Sequence, residues 1–352
     1  MKVGVLYITE PGAVVGRKRE RLQVRKHGEL LANPRADDTE VAVLTDAVHL
    51  SPSATLALVA GGADIMFITP GGEFDGRVGT STARRFGLRH AQRRALADPA
   101  FTLDLARCLV SGQIRNQRAL LMEEPGEGRT EATARSLLRM RLSLERLEAA
   151  DDVAAVCALG EQAEEAYRIA LGERIRAAGI PPVAIREGAA HPVDVLRALA
   201  GTLLGRWVQG LIEKAGLDAS RGVGLSATGR CPALAADLLA ELSPPIVDAV
   251  VVTVLNRGSI RIGDFTAGEP SASPVEDAWP SAAADRPPSA PRIGREAAKR
   301  FLVAYERKLL ETAWYTPAAR NLTRRRIVQE QVYRLARHFR GEAEYEPDAP
   351  PF

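Results

Sequence analysis

The sequence predicts an α+β protein: a small N-terminal β-rich domain over 1–79, followed by a larger all-helical domain over 80–352. Three observations lead there. Short β-branched and aromatic runs, punctuated by turn signals, fill residues 3–78. From Gly79 onward apolar residues recur at helical spacing. A length of 352 residues also exceeds one ordinary domain of about 100 to 150.

In the first domain the expected strands are 5–9, 13–15, 22–24, 30–31, 41–44 and 65–68, separated by Glu10-Pro11-Gly12, His27-Gly28 and Pro70-Gly71-Gly72. One helix interrupts them. It opens at Ser51-Pro52-Ser53, with proline at a first-turn position, and runs through Leu56, Leu58 and Val59 to Gly61-Gly62. In the second domain the period predicts helices near 82–97, 101–124, 132–149, 151–171, 192–215, 232–241, 244–256, 293–315 and 323–339. Glu269 to Arg292, with Glu269-Pro270, Pro287-Pro288 and Pro291, has little to bury and reads as a flexible loop over 269–292. The tail from Glu342 to Phe352 carries Pro347, Pro350 and Pro351 and reads as extended and partly disordered.

An apolar fraction of 46% builds ordinary cores. No run approaches the ~18 apolar residues of a membrane span, and no leader is seen, so a soluble cytoplasmic protein with no membrane partner is expected. Cys108, Cys157 and Cys231 are far apart and lack CxxC spacing, which indicates neither zinc nor a disulfide framework. Net charge is only +3, so the placement of arginine is more informative than the sum. Arg77, Arg84, Arg85, Arg89, Arg93 and Arg94 cluster on the interdomain connection and the helix after it, with Arg85, Arg89 and Arg93 at i, i+4 and i+8. Guanidinium groups grip phosphate bidentately and stay charged, which points to DNA; a solvated, salt-bridged helix face is the alternative. Arg324-Arg325-Arg326 is a weaker second patch.

The run Gly112-Gln113-Ile114-Arg115-Asn116-Gln117-Arg118-Ala119-Leu120-Leu121 sets polar residues inside an apolar-periodic helix. Asn is a poor helix former, so a buried polar network and a solvated face both remain open as readings. The run resembles the "K-x-x-N-Q-R-x-L-L" helix of the CRISPR-associated endonuclease of the adaptation complex, the Cas1 family that integrates new spacers. Similar wording recurs along the chain. Leu6-Tyr7-Ile8-Thr9-Glu10-Pro11-Gly12 resembles the family's opening hairpin, and Asp46 to Ala54 its first strand-to-helix junction. Ile246-Val247-Asp248, Leu255-Asn256-Arg257-Gly258 and Asp264-Phe265 resemble its "P-l-i-v-D…l-i-n-r-g…D-F" segment. Tyr305-Glu306-Arg307, Gln331, Arg334-Leu335-Ala336 and Tyr345 resemble its ending.

The resemblance implies a metal-dependent strand transfer at phosphate, in which a divalent ion polarises the phosphoryl oxygen. It also implies three ligands, and this chain departs at each. Anchoring "E-G-x-A-A-x-x-Y" on Tyr167 puts the family glutamate at Gly160, with Glu161 next door and about 100° away around the helix. Glu161, Glu164 and Glu165 by themselves read as a solvated acidic face. The "G-F-L-H" motif falls on Gly222-Val223-Gly224-Leu225, which places Leu225 at the histidine. His191 is a surrogate candidate, although a lone loop histidine is more often simply exposed. "D-L-M-E-E-F-R-P" falls on Asp237 to Pro244, retaining Asp237 but placing Ala240 at the acidic ligand. Asp237 and Glu241 stand at i and i+4 and are expected to share a face as a residual carboxylate pair.

The expectation is a catalytically impaired member of the family, with Gly160, Leu225 and Ala240 non-functional and no metal or other cofactor required. It would bind double-stranded or branched DNA through Arg77, Arg84, Arg85, Arg89, Arg93, Arg94, Arg115 and Arg118. A homodimer through the β domain, a Cas2-like subunit and an active paralogue are the implied protein partners. The alternative is an active endonuclease and integrase using Mg or Mn, with ligands moved to Glu161, Asp237, Glu241 and His191. An unrelated α/β binding protein would instead show no preference for branched DNA.

Overall fold

The structure, a computed structural model, describes residues 4–45, 47–68, 74–79, 86–123, 130–176, 191–225, 231–266 and 292–350. They fall into two compact units, the first within Met1–Ala83 and the second built from Arg84–Pro270 and Pro287–Phe352.

The first unit holds two four-stranded sheets. One has the order β1 (Gly4–Ile8), β5 (Thr39–Thr45), β7 (Asp64–Ile68), β8 (Phe74–Val78); its first three strands are parallel and β8 returns antiparallel. The other is β4 (Glu29–Ala32), β3 (Arg21–Lys26), β2 (Val14–Lys18), β6 (His49–Leu50). His27 and Gly28 both have positive φ, which is why a histidine-glycine pair turns the β3–β4 hairpin. Helix α1 (Pro52–Ala60) starts as the sequence predicts, with the Ser51 side chain accepting the N–H of Ala54 and Pro52 at N1. Val15, Leu22, Leu44, Leu58 and Ile65 are buried in the shared core. Strands β6 and β8 are too short or too polar to stand out in the sequence.

The second unit is helical: α2 (Phe86–Leu96), α3 (Pro99–Met122), α4 (Glu131–Leu147), α5 (Val153–Arg174), α6 (Pro192–Ala215), α7 (Ala233–Ser243), α8 (Ala249–Asn256), α9 (Arg295–Leu310) and α10 (Arg324–Phe339). Asp98, Thr130, Asp152 and Thr323 cap α3, α4, α5 and α10 through their side chains. Pro244 and Pro245 lack an N–H, and the chain widens there into a π turn over Pro244–Asp248, joining α7 to α8. The run Ala233–Asn256 is long and apolar enough by composition to cross a membrane, contrary to the expectation of no such run, but 72% of its most apolar window is buried inside the fold. This unit is not entirely helical. β9 (Phe265–Thr266) pairs with β10 (Arg292–Ile293), and β11 (Thr312–Tyr315) pairs with β12 (Arg320–Thr323), so the helix expected over 293–315 ends at Leu310. Thr312, Trp314 and Tyr315 favour a strand, and Pro317 turns it. Nearly all of the loop expected over 269–292 lies outside the described residues.

Two connections position the site. α3 packs against α4, α5 and α7, and the tail 342–350 is fixed across it: Tyr345 and Ala349 are 4% exposed. The expectation of a partly disordered tail is corrected for these residues. At Gly112, a Cβ would stand 2.5 Å from the Pro347 Cβ, so only glycine lets the tail cross so close to α3.

Candidate functional site

The loop bearing the family's histidine position is held by α7. Asp237 is fully buried and its carboxylate accepts the N–H groups of Val223 (2.7 Å), Gly224 (3.4 Å) and Leu225 (2.9 Å). A Cβ on Gly222 would fall 2.1 Å from Asp237 Oδ2, so glycine is required for this approach. Burial pushes the Asp237 carboxyl up, and the three backbone donors pull it back down. Leu225 and Ala240 are half-buried.

α5 brings its own position to the same neighbourhood. Cys157 feels the charges of both Glu161 and Asp237, though burial is the main reason its thiol is raised. Gly160 is buried against α3, where a Cβ would meet Val110 Cγ1 at 3.3 Å; the space a glutamate stem would need is already partly filled. Glu161 is exposed, one residue around the helix.

Glu241 does not join Asp237. It is fully buried and accepts from Gln331 Nε2 (2.7 Å), Tyr345 OH (2.7 Å) and the Asp348 N–H (2.9 Å), all from α10 and the tail. Burial holds its carboxyl up at about 7 despite those three donors. Asp237 and Glu241 thus stand one turn apart on α7, each with its own protein donors. His191 also stands elsewhere, as the N-cap of α6, with Nδ1 accepting the Val193 N–H at 3.3 Å and burial lowering its pKa. Among the described residues no group of three or more His, Cys, Asp or Glu side chains is placed to hold a metal ion. The residual candidates Glu161, Asp237, Glu241 and His191 do not fit a divalent cation, which wants several free oxygens around one point.

The polar run on α3 resolves into separate roles. Asn116 donates through Nδ2 to the carbonyls of Glu241 (3.0 Å) and Asp348 (2.9 Å), fastening α7 and the tail. Gln117 and Gln113 donate to Glu164 on α5. Glu164 also binds Arg168 at 3.0 Å, so it faces inward and leaves the acidic face to Glu161 and Glu165. Behind it, Asp248 accepts from Arg197 Nε and Tyr167 OH, both at 2.7 Å. Arg115 and Arg118 turn toward α4, where an Arg118 Nη1 donates to the Leu137 carbonyl.

The arginines of α2 flank the held loop. Gln92 is fully buried, donating to the carbonyls of Asp218 (2.9 Å) and Arg221 (2.7 Å) and accepting the Asp218 N–H (2.8 Å). The sequence does little to single this residue out: its signal is a neutral amide inside an arginine-rich helix. With Gln92 anchored, Arg89, Arg93 and Arg94 are exposed. Arg77 is withdrawn by comparison, drawn onto the buried Asp64 at 3.4 Å with its side chain 11% exposed. Arg84 and Arg85 lie outside the described residues.

Residues 6–273 match the family model for CRISPR associated protein Cas1. The chain belongs to the Cas1 family. The CRISPR-associated endonuclease Cas1 3 of Thermus thermophilus is 28% identical over 99% of this chain and 97% of its own length. Among solved structures, a chain of a Cas6-RT-Cas1–Cas2 complex superposes with a TM-score of 0.80 at 15% identity, covering all of this chain and 36% of that one. A casposase bound to an integration product gives 0.77 at 14% identity, covering 99% and 94%. At such identities these likenesses establish the Cas1 fold, a β-rich N-terminal part followed by a helical one.

Proposed function

We propose that this Cas1-family chain is a DNA-binding subunit of a CRISPR adaptation complex in which strand-transfer chemistry has been lost. The observation that carries the reading is Asp237: the acid retained from the family motif has its carboxylate committed to three backbone N–H groups, while Gly160, Leu225 and Ala240 offer no ligand. DNA binding rests on Arg89, Arg93 and Arg94 of α2, exposed beside the loop over 218–225, with Arg115 and Arg118 of α3 as a second group. Arg84 and Arg85 extend the α2 group by sequence alone. The first unit serves as the homodimer interface, a Cas2-like subunit bridges dimers, and an active paralogue supplies catalysis. Cas2 appears in the complex whose chain this one resembles, and a cytoplasmic place beside its DNA completes the reading.

The test is strand transfer by the purified protein on a labelled protospacer and a CRISPR-repeat plasmid with manganese, beside gel-shift binding to branched DNA. Binding without joining or nicking is expected. Joining that disappears on chelation and returns with manganese would overturn the loss of chemistry and favour relocated ligands. Failure to shift any DNA would sink the binding role.

A further inference from the structure

Arg174 is the last residue of α5, about 21 Å along the helix from Gly160 at 1.5 Å per residue. It is 8% exposed, and its Nε and Nη1 are enclosed without a hydrogen-bond partner. No carboxylate among the described residues, that of the adjacent Glu173 included, pairs with it. A buried charge without a counter-charge is costly, and arginine stays protonated at any ordinary pH, so this one cannot escape the cost by losing its proton.

The ordinary explanation of such a residue is a cap, since arginine near a helix C-terminus can donate to the last carbonyls. Here those carbonyls have other donors. The Gly172 carbonyl accepts the Ile175 N–H at 3.3 Å, and the Arg174 carbonyl accepts Asn256 Nδ2 at 2.8 Å. Asn256 Oδ1 in turn accepts the Arg176 N–H at 2.8 Å. Asn256 ends α8, so its amide staples the C-termini of two helices together. α8 closes its own end through the N–H groups of Arg257, Gly258 and Ser259, with Gly258 at φ +65°. The backbone of Arg174 is fixed by this staple, and its guanidinium takes no part in it.

Of the three guanidinium nitrogens, Nη2 alone is not fully enclosed. A ligand arriving there meets the Nη1–Nη2 edge, a planar fork that grips both oxygens of a carboxylate. The helix ends decide between anions: each carries about half a negative charge, which steadies the guanidinium but opposes a dianion such as phosphate. Exposed Arg176 and Arg257 flank Asn256 and keep the surroundings positive. The geometry points to Arg174 as the binding site for one carboxylate group, supplied by a free small acid or by an Asp or Glu side chain of a protein. The site involves neither DNA nor a metal.

The experiment follows thermal melting of the full chain at neutral pH and fixed ionic strength as chloride is exchanged for formate, acetate, phosphate or the capped peptide acetyl-Gly-Glu-Gly-amide. The wild type should gain about 2 °C or more, saturably, from formate and from acetate, and less from phosphate. Arg174→Met keeps the apolar stem without the charge; it should melt no lower than the wild type in chloride and lose the response, while Arg174→Lys should keep part of it. Half-saturation by the peptide at about tenfold lower concentration than acetate assigns the carboxylate to a protein side chain, and an equal or higher concentration assigns it to a free acid; both support the site. A formate response that survives in Arg174→Met reports an adventitious ion only and overturns it. A wild type that responds to no carboxylate also overturns it, as does a phosphate response larger than that of formate. Should Arg174→Met not fold, the wild-type series and Arg174→Lys decide, an undiminished response in Arg174→Lys counting against the guanidinium fork. None of these readouts involves DNA, so their failure leaves the proposed function standing.

Discussion

The two buried carboxylates of α7 stand one helical turn apart and end in opposite arrangements. Asp237 holds a short loop by three backbone N–H groups contributed by consecutive residues. Glu241 holds the end of the chain, through Gln331, Tyr345 and the Asp348 N–H, more than a hundred residues away for the last two. Both carboxylates accept three hydrogen bonds, yet from different parts of the chain. Asp237 fastens the loop over 223–225 to α7, and Glu241 fastens the tail. A carboxylate kept at a motif position is thus weak evidence of chemistry until its donors are known.

The comparison breaks most visibly at Asp237. Asp237→Ala leaves three loop N–H groups orphaned, at roughly 1–3 kcal/mol each for well-formed bonds, so a loss of about 4 kcal/mol in urea unfolding is expected, with weakened DNA binding as the loop beside α2 loosens. A change under about 1 kcal/mol would show that the loop is held by something else. On the tail side, Gly112→Ala gains about 1 kcal/mol in helix propensity but forces its methyl to within 2.5 Å of Pro347; overpacking of about 1–3 kcal/mol should win, and hydrogen exchange at 345–348 should quicken. Exchange as slow as in the wild type would mean that the tail moves without loss.

Glu241 gives the most specific effect. Its folded pKa of about 7 lies above the ordinary 4.5, so the native state holds the extra proton. Stability from this group is present below about 4.5 and is lost as pH rises to about 7. Asp348, pushed up to about 6 mainly by burial, acts in the same direction. The melting temperature should therefore fall by several degrees between about pH 5 and pH 8, and Glu241→Gln should flatten that slope. A mutant profile parallel to the wild type would place the titration elsewhere.

Much of this was legible in the sequence because it is local. Apolar periodicity located the described α-helices of the second unit, although it ran α9 on through the strand that follows Leu310, and Ser51-Pro52 marked the start of α1. Local reading failed where a long-range partner decides. The tail looks unstructured by its prolines, but Tyr345 finds Glu241 across 104 positions. Asp237 and Glu241 do share helical spacing, and nothing in that spacing reveals that backbone N–H groups claim one and the tail claims the other. The spacing of Asn116 and Gln117 fits a buried network and a solvated face alike; their donations to Glu241, Asp348 and Glu164 are bonds no one-dimensional pattern displays. Gln92 shows the same limit from the other side, a lone amide whose partners are more than a hundred residues on.

The central claim is that this Cas1-family chain retains the scaffold without the metal centre, and the most direct measurement is calorimetric titration of manganese into the chelator-stripped protein, alone and bound to branched DNA. The account predicts no stoichiometric site in either state. A single saturable site that Glu161→Gln or His191→Ala abolishes would contradict it, and would mean that the ligands have moved.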